Sequence, residues 1–264
     1  MTMGVRQAGD FCWINILTPQ PAEAREFFGS LLGWSFSDLS GMGDLVKVGE
    51  HQIGGMFDIN SPQTPPGTPA VIGVMVKVDS ADAMAEKVRG LGGKAEPPMD
   101  VMENGRMVMC YDPVGAQIDL WQPKKEVGTT ADPMDHGVPS WFENYTTDMD
   151  RSKEFYASLF GWVPEKMDMP GMAYTTFKLS SDAVQPIAGM MSLTPEMGNT
   201  PPHWATYFTV DNADETARKA EELGGNVVVP LMDIPDTGRF CGITSPQGVM
   251  FFVIKYAQQD TPPR

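Results

Sequence analysis

Three ionisable side chains lie in segments that look like β-strands and could support chemistry. Asp119 is followed by apolar residues, Glu143 comes two residues after Trp141, and His203 directly precedes a strand-like run. Carboxylate and imidazole groups bind divalent metal ions, and they also transfer protons when their pKa lies near neutral pH. Asp119, Glu143 and His203 are therefore the first candidates for a functional site.

The other reactive residue types give weaker signals. Cys12, Cys110 and Cys241 have no CxxC spacing and no disulfide pattern, so each is expected to be a small core residue. Three unpaired cysteines also favour a reducing compartment, and we expect the cytoplasm. His51 and His136 are expected on the surface. The sequence lacks the motifs of serine hydrolases, zinc proteases, P-loop proteins and dinucleotide-binding proteins.

The charge balance excludes some classes of partner. The 264 residues include 19 Lys and Arg against 34 Asp and Glu, which gives a net charge of −15. Nucleic acids and anionic membranes need a basic surface, so neither is expected as a partner. No apolar run approaches the roughly 18 residues of a membrane span, and the N-terminal residues do not resemble a signal peptide. A hydrophobic content of 42% indicates a folded globular protein.

The sequence repeats itself. Residues 13–34 align without a gap on residues 141–162, at an offset of 128, and later matches drift only to an offset of 134. The identical pairs in this segment are Trp13/Trp141, Thr18/Thr146, Glu26/Glu154, Phe27/Phe155, Leu31/Leu159, Gly33/Gly161 and Trp34/Trp162. We interpret the chain as a tandem duplication with a first domain over 1–124, a linker over 125–138 and a second domain over 139–264.

Each repeat is predicted to hold two β-α-β-β-β units. Apolar residues at helical spacing predict helices over 22–32, 81–91, 151–160 and 214–223, with Asp148 and Asn212 as N-caps and Leu-Gly-Gly ending the second and fourth. Runs of β-favouring residues predict strands over 11–17, 45–48, 53–58, 71–78, 106–111, 117–121, 174–179, 187–193, 204–210, 227–230, 239–244 and 249–254.

These motifs resemble the vicinal oxygen chelate superfamily, which includes lactoylglutathione lyase, bleomycin-resistance proteins and extradiol dioxygenases. The resemblance rests on F[FY]xSLxGW after a strand, VDxxD before the second helix, LGG, GR, and DPxGxxxxLWQ. It is nearest to the two-domain, lactoylglutathione lyase-related bacterial proteins. It implies an α+β fold of two tandem glyoxalase-like domains, each a pair of βαβββ modules that form a curved mixed sheet around a cavity.

The resemblance also implies where a metal ion would bind. Active members hold a divalent metal with three inward-facing residues, and the metal polarises two neighbouring substrate oxygens. The corresponding positions are Trp13, Gly73 and Asp119 in the first copy and Trp141, Ala205 and Phe252 in the second. Only Asp119 carries a donor atom that suits such an ion. No cofactor is therefore predicted, although a divalent metal held by displaced ligands remains an alternative.

Strand alternation suggests a different site in the same cavities. Asn15 shares a face with Trp13, Glu143 shares one with Trp141, and His203 and Tyr207 lie on the inward side with Ala205 if that strand is regular. Glu143 and His203 could then form a catalytic acid–base pair or a two-ligand metal site. The alternative is that His203 caps the strand end while Glu143 pairs with a cation such as Arg239.

Several predicted ligand-binding residues also have a structural explanation. Asp119 is either a surviving metal ligand or a general base, or it is a buried carboxylate whose hydrogen bonds come from Arg106 or backbone N–H groups. Arg106 and Arg239 either bind an anionic substrate or pair with carboxylates at strand ends. The two tryptophans either stack on a flat ligand or fill an unused cavity. The full predicted set is Trp13, Asn15, Arg106, Asp119, Trp141, Glu143, His203, Tyr207 and Arg239.

The functional prediction is a glyoxalase- or bleomycin-resistance-like protein that binds a small organic molecule and lacks the standard metal triad. The alternative is a lyase or isomerase, either metal-dependent through displaced ligands or metal-free through Glu143 and His203. Because two copies in one chain can make the pairing that single-copy relatives make by dimerising, a monomer is expected, with a homodimer as the alternative.

Overall fold

The computed structural model describes residues 6–169 and 172–257. Each domain contains two βαβββ modules, as the sequence predicts. The first domain comprises β1 (Phe11–Thr18), α1 (Pro21–Leu32), β2 (Ser35–Asp38), β3 (Asp44–Val48), β4 (His51–Asp58), β5 (Val71–Lys77), α2 (Ala81–Gly90), β6 (Lys94–Ala95), β7 (Met99–Val101), β8 (Gly105–Val108), β9 (Cys110–Tyr111) and β10 (Asp119–Pro123).

The second domain repeats this order. It comprises β11 (Pro139–Thr146), α3 (Met149–Phe160), β12 (Val163–Met169), β13 (Met172–Lys178), β14 (Ala188–Ser192), a short 3-10 helix (Pro195–Met197), β15 (His203–Thr209), α4 (Ala213–Glu222), β16 (Asn226–Ile234), β17 (Gly238–Thr244) and β18 (Met250–Tyr256). The sequence-based ranges did not include β2, β6, β7, β11 or β12. Strands β2, β6 and β7 are short, and β12 is rich in polar residues.

Each domain is built on one eight-stranded mixed sheet. The strand order is β2-β3-β4-β1-β5-β10-β8-β7 in the first domain and β12-β13-β14-β11-β15-β18-β17-β16 in the second, while β6 and β9 form a separate two-stranded sheet. The first strands of the two modules, β1 with β5 and β11 with β15, pair antiparallel at the centre. The predicted duplication and α+β class are confirmed.

The predicted helix ends are confirmed by their hydrogen bonds. The Asp148 carboxylate accepts a hydrogen bond of 3.0 Å from the backbone N–H of Arg151, and the Asn212 side chain accepts from two N–H groups in the first turn of α4. Gly92 and Gly224 follow α2 and α4 with φ of 83° and 85°, a conformation that favours glycine. Among the described residues, none of the helices has the length and apolar character that a membrane crossing requires.

The helices of both domains fill a single hydrophobic core between the two sheets. Helix α1 contacts α4, and α2 contacts α3, across the domain boundary. Phe28 on α1 packs with its ring centre 5.3 Å from that of Phe251 on β18, and Phe11 stacks on Phe142 at 4.0 Å. The other face of each sheet points away from this core and is called the outer face below. A separate, smaller apolar cluster covers each outer face.

Two tryptophans connect the domains by equivalent hydrogen bonds. The indole N–H of Trp34 donates to the carbonyl oxygen of Gly137 at 2.8 Å, and that of Trp162 donates to Gly9 at 3.0 Å. Both pairs are related by the same 128-residue repeat. Each glycine has a positive φ and lies just before the first strand of the opposite domain. A Cβ atom at Gly137 would lie 2.2 Å from the carbonyl oxygen of Leu32, so a side chain does not fit there.

A third connection occurs on one side of the boundary only. The buried carboxylate of Asp112 accepts hydrogen bonds from Tyr156 at 2.9 Å and Ser152 at 3.3 Å, and Tyr156 in turn accepts one from Trp204. Ser245 occupies the equivalent of Asp112 in the repeat, and Phe28 and Ala24 occupy the equivalents of Tyr156 and Ser152. The two halves of the boundary have therefore diverged while their apolar packing has been kept.

We expect Trp34→Phe and Trp162→Phe each to lower the free energy of unfolding by about 1–2 kcal/mol, because a buried carbonyl loses its donor. Chemical denaturation of the variants measures this. Trp13→Phe is the control, since the Trp13 indole makes no hydrogen bond to any described residue, and it should cost less. Unchanged midpoints for both Trp34→Phe and Trp162→Phe would contradict the structural role of these two bonds.

Candidate functional site

The outer face of the second domain brings together most of the predicted site residues. Strand β11 places Trp141, Glu143 and Tyr145 on this face by alternation. Strand β15 lies beside it in register, with Tyr207 opposite Trp141, Ala205 opposite Glu143, and His203 opposite Tyr145.

Glu143 is buried on this face, with a side chain that is only partly satisfied. The residue is 3% exposed. Its Oε2 atom accepts hydrogen bonds from the Trp141 indole at 3.0 Å and from the Tyr174 hydroxyl at 2.8 Å. Its Oε1 atom is buried without a hydrogen-bond partner among the described residues. Burial raises the pKa of Glu143 to about 7, so the carboxyl group titrates near neutral pH.

A glycine makes room for this arrangement. Gly189 on β14 lies opposite Glu143 in the sheet. A Cβ atom at Gly189 would lie 2.1 Å from the Tyr174 hydroxyl oxygen and 2.6 Å from Glu143 Oε1, so no other residue fits without displacing both groups. The sequence-based reasoning missed Tyr174 and Gly189. The repeat matches Gly189 to Gly55 and so marks a glycine position shared by both copies. The sequence alone does not show why glycine is needed there.

Four nearly parallel rings lie beside Glu143. Tyr145 stacks on His203 with ring centres 4.9 Å apart and planes 8° apart, and its ring is also nearly parallel to that of Phe252 at 6.5 Å. Phe252 stacks on Tyr207 at 4.5 Å and 12°. Trp141 and the flexible side chains of Met191, Met197 and Met250 pack around this group, together with other partly buried apolar residues. The result is a stack of mostly buried aromatic rings with one buried carboxyl group at its side.

The structure does not join Glu143 directly to His203. The ring Nδ1 of His203 lies 2.9 Å from the carbonyl oxygen of Pro201 and must donate to it, because a carbonyl only accepts. Burial lowers the pKa of His203, which favours the neutral ring. The hydrogen-bond partners of Glu143 are Trp141 and Tyr174, so the structure shows no hydrogen bond between the two residues of the suggested acid–base pair.

Arg106 and Arg239 lie on the opposite, helix-bearing faces of their sheets. Arg106 donates two hydrogen bonds of 2.9 Å to Asp82 at the start of α2, and Arg239 donates bonds of 2.8 and 3.0 Å to Asp214 at the start of α4. Each also pairs with an aspartate on the neighbouring edge strand. The two arginines therefore do not share a face with the other predicted ligand-binding residues, and neither contacts Asp119 or Glu143.

The outer face of the first domain has a different composition. Asp119 is 4% exposed and accepts a hydrogen bond from the Gln117 side chain at 3.0 Å. Burial raises the pKa of Asp119 to about 7. Asn15 donates to the sulfur of Met75 at 3.4 Å, and Trp13 packs against the cluster that contains Met75. These predicted residues do lie on one face, but without the stacked rings of the second domain.

Comparison with known proteins identifies the family. The model of the Glyoxalase/Bleomycin resistance protein/Dioxygenase superfamily matches residues 11–120 and 139–253. The chain belongs to this superfamily. It is 33% identical over 254 residues to "Putative glyoxylase CFP32" of Mycobacterium tuberculosis, covering 94% of this chain and 95% of that protein. It is 31% identical over 263 residues to "Anthracycline biosynthesis protein DnrV" of Streptomyces peucetius, covering 92% of each.

Solved structures of the glyoxalase superfamily share the fold. The Mn(II)-bound glyoxalase from Novosphingobium aromaticivorans has a TM-score of 0.67 at 12% identity, with 97% of this chain and 85% of that chain covered. The 2,2′,3-trihydroxybiphenyl 1,2-dioxygenase from Sphingomonas wittichii has a TM-score of 0.66 at 11% identity, with 96% and 92% covered. At these identities the likeness concerns the fold and not the reaction.

The residues present do not fit the metal ion of this glyoxalase superfamily. The resemblance places Trp13, Gly73 and Asp119 at the ligand positions of the first domain, and the second domain has an indole, a methyl group and a phenyl ring there. Across residues 6–169 and 172–257, no group of three His, Cys, Asp or Glu side chains is arranged to hold an ion. Divalent metals need nitrogen, oxygen or sulfur donors, so a chelated metal step is not supported by these residues.

The raised pKa values predict how stability depends on pH. A carboxyl group whose pKa is higher in the folded state than in the unfolded state favours folding at low pH, and this contribution is lost as pH rises through the folded pKa. For Glu143 and Asp119 this contribution to stability is lost between about pH 4 and pH 7. The loss is up to about 3 kcal/mol for Glu143 and about 4 kcal/mol for Asp119.

Denaturant unfolding at pH 5 and pH 8 tests this dependence. The wild-type protein should lose stability between the two, and Glu143→Gln and Asp119→Asn should each reduce the loss. Glu23→Gln removes an exposed carboxylate from α1 and serves as the control. The same pH dependence in Glu143→Gln, Asp119→Asn and the wild type would be inconsistent with raised pKa values.

Proposed function

We propose that this member of the glyoxalase superfamily binds a small, flat aromatic compound with a carbonyl group on the outer face of the second domain, without a chelated metal ion. The observation that carries the proposal is the unpartnered Oε1 atom of Glu143. Leaving a buried carboxyl oxygen without a hydrogen bond costs stability, so such a group is retained where a ligand supplies the partner.

The neighbouring rings supply the second half of the recognition. The stacked rings of Tyr145, Phe252 and Tyr207 form an aromatic cluster, and in the proposed complex another flat ring packs against the edge of this cluster. Methionine side chains at the border can repack around ligands of different outline, because they are unbranched and polarisable. A protonated Glu143 donates a hydrogen bond to a carbonyl oxygen, and an ionised one accepts from a hydroxyl group.

The named relatives are consistent with this class of ligand. DnrV is called an anthracycline biosynthesis protein, and anthracyclines are flat, fused-ring aromatic ketones. The name of CFP32 refers to glyoxylase activity, which favours the alternative of a lyase. Only one of the superfamily's six ligand positions, Asp119, has a suitable donor atom, which weighs against that alternative for this chain.

The second domain is favoured over the first because its carboxyl group is incompletely paired. Asp119 interacts with both the Gln117 side chain and the backbone of Cys110, while Glu143 leaves one oxygen free.

We also propose a compartment and an oligomeric state for the protein. The cysteines Cys12, Cys110 and Cys241 are buried and unpaired, which supports a reducing cytoplasm. A monomer remains the expected state, with a homodimer as the alternative.

Titration with 1,8-dihydroxyanthraquinone, followed by its visible absorbance, tests the binding site. Trp141→Ala should weaken binding roughly tenfold, because an aromatic contact contributes about 1.4 kcal/mol. Trp13→Ala changes the equivalent residue of the first domain and should leave the affinity within about twofold. A larger loss of affinity in Trp13→Ala than in Trp141→Ala would place the binding site on the first domain instead. No binding of this compound at all would contradict the proposal.

Metal analysis tests the other part of the proposal. We expect the purified protein to contain far less than one equivalent of Mn, Fe, Ni or Zn. The affinity for 1,8-dihydroxyanthraquinone should also be unchanged by a chelator or by added Mn²⁺ or Zn²⁺. One tightly bound equivalent that disappears in Glu143→Gln or Asp119→Asn would instead establish displaced metal ligands.

A further inference from the structure

We propose that Asn104 is a site of spontaneous covalent modification, at which the side-chain amide is lost as ammonia through a succinimide formed with Gly105. The product is an isoaspartyl or aspartyl residue in the turn between β7 and β8. This turn belongs to the first domain, so the reaction is independent of ligand binding on the second domain. Water is the only other reactant that the modification needs.

The residue after Asn104 is a glycine, and no other asparagine of the chain is followed by glycine. Glycine has no side chain that shields its backbone nitrogen, so this nitrogen can reach the Cγ atom of Asn104 and close a succinimide ring. A Cβ atom at Gly105 would lie 2.4 Å from the Trp121 indole and 2.7 Å from the carbonyl oxygen of Gln122. The sheet therefore requires glycine at the position that makes Asn104 reactive.

The side chain of Asn104 is not held by the rest of the turn. It is partly exposed and makes no hydrogen bond to any residue that the structure describes. Backbone groups close the turn instead, because the Asn104 N–H donates to the carbonyl oxygen of Val101 at 3.0 Å. The side-chain amide can therefore rotate towards the nitrogen of Gly105 without breaking a hydrogen bond.

Two backbone N–H groups promote the first step of the reaction. When the Gly105 nitrogen loses its proton, the negative charge is shared with the carbonyl oxygen of Asn104, because both atoms belong to one conjugated peptide group. That oxygen accepts hydrogen bonds from the N–H groups of Lys124 at 2.9 Å and Glu126 at 3.0 Å. Donors already aimed at an oxygen that gains negative charge lower the barrier. The Trp121 indole helps to fix Glu126 by donating to its carbonyl oxygen at 2.8 Å.

The reaction balances with water alone. The Gly105 N–H proton goes to hydroxide, and the nitrogen electron pair forms a bond to Cγ of Asn104. The bond between Cγ and the side-chain nitrogen then breaks, and this nitrogen takes a proton from water and leaves as ammonia. A second water molecule opens the succinimide. Opening at the side-chain carbonyl gives aspartate, and opening at the backbone carbonyl gives isoaspartate, in which the chain continues through the former side chain.

The second domain keeps the same turn without the reactive residue. Thr237 is equivalent to Asn104 in the repeat, and a glycine follows it as well. The Thr237 N–H donates to the carbonyl oxygen of Ile234 at 3.1 Å, and the Thr237 carbonyl oxygen accepts from the N–H of Ala257 at 2.9 Å. Threonine has no carboxamide and cannot form the succinimide. Asn104→Thr should therefore keep the turn and abolish the reaction.

Incubation of the whole protein at pH 8.5 and 37 °C, followed by tryptic digestion and mass spectrometry, tests the site. The peptide of residues 95–106 should gain about 1 Da, the difference between an amide and an acid. Its rate should be at least roughly tenfold higher than at the exposed Asn60 and Asn199, which precede serine and threonine. Asn104→Thr should show no gain in this peptide. No gain in wild-type 95–106, or equal rates at the three asparagines, would overturn the proposal.

Glu126→Pro tests the role of the two donors, because proline has no N–H to offer the Asn104 carbonyl oxygen. Val127→Pro is the matched control, since the Val127 N–H makes no hydrogen bond to a described residue. Glu126→Pro should slow the mass gain roughly tenfold, and Val127→Pro should leave it within about twofold. Near-UV circular dichroism checks that both variants are folded. A wild-type rate in folded Glu126→Pro would overturn the part assigned to the donors.

The isoaspartyl product should loosen the segment that follows β10. An added backbone carbon atom displaces the carbonyl group to which the N–H groups of Lys124 and Glu126 bond, so these donors lose their acceptor. Anion exchange separates the aged protein by its extra negative charge. The isoaspartyl form should unfold at a lower urea concentration than Asn104→Asp, which has the same charge and an ordinary backbone. Equal midpoints would overturn this structural effect and leave the modification site itself supported.

Discussion

The packing of two sheets through one shared core constrains the rest of this structure. The rings of Phe28 and Phe251 meet across the domain boundary, and the indoles of Trp34 and Trp162 bond to the opposite domain. A change on the helix-bearing side of either sheet therefore disturbs both domains, because their side chains share one close-packed interior. The outer faces have no such common constraint. Residues on one outer face can be substituted without a compensating substitution in the other copy.

The two outer faces have diverged in this way. Asn15, Leu17 and Gly43 occupy the positions that correspond, by repeat and strand register, to Glu143, Tyr145 and Tyr174. Together these three differences turn a face with few polar groups into one with a carboxyl group and two hydroxyl groups among stacked rings. Gly55 matches Gly189 in the repeat, so the space that Glu143 and Tyr174 occupy corresponds to a glycine position in both copies.

Much of the fold was predictable because its determinants are local or repeated. Helical stripes, the caps at Asp148 and Asn212 and the 128-residue offset all lie in the order of residues. Strand alternation also placed Glu143, His203 and Tyr207 on one face. Alternation gives the face of a side chain but not its partner. Tyr174 reaches Glu143 from two strands away across Gly189, and Arg239 turned out to lie on the other face, bonded to Asp214 and Asp233. Such contacts depend on register across several strands, which the sequence does not reveal.

The scarcity of donor atoms at the superfamily's ligand positions changes what a buried carboxyl group can do in this fold. A divalent cation beside a carboxylate stabilises its ionised form and keeps its pKa low. On these outer faces burial raises the pKa values of Glu143 and Asp119 to about 7, and neither carboxyl group has a cationic side chain among the described residues that offsets its desolvation. Asp119 stands at a position that the resemblance assigns to a metal ligand, whereas Glu143 lies two residues after such a position, and both side chains bind protons near neutral pH. A carboxyl group poised between its two protonation states is a weak ligand for a metal ion but an effective partner for a carbonyl compound, since it can donate or accept a hydrogen bond at neutral pH. This difference links the loss of donor atoms at Trp141, Ala205 and Phe252 to the aromatic, carboxyl-containing face that replaces them.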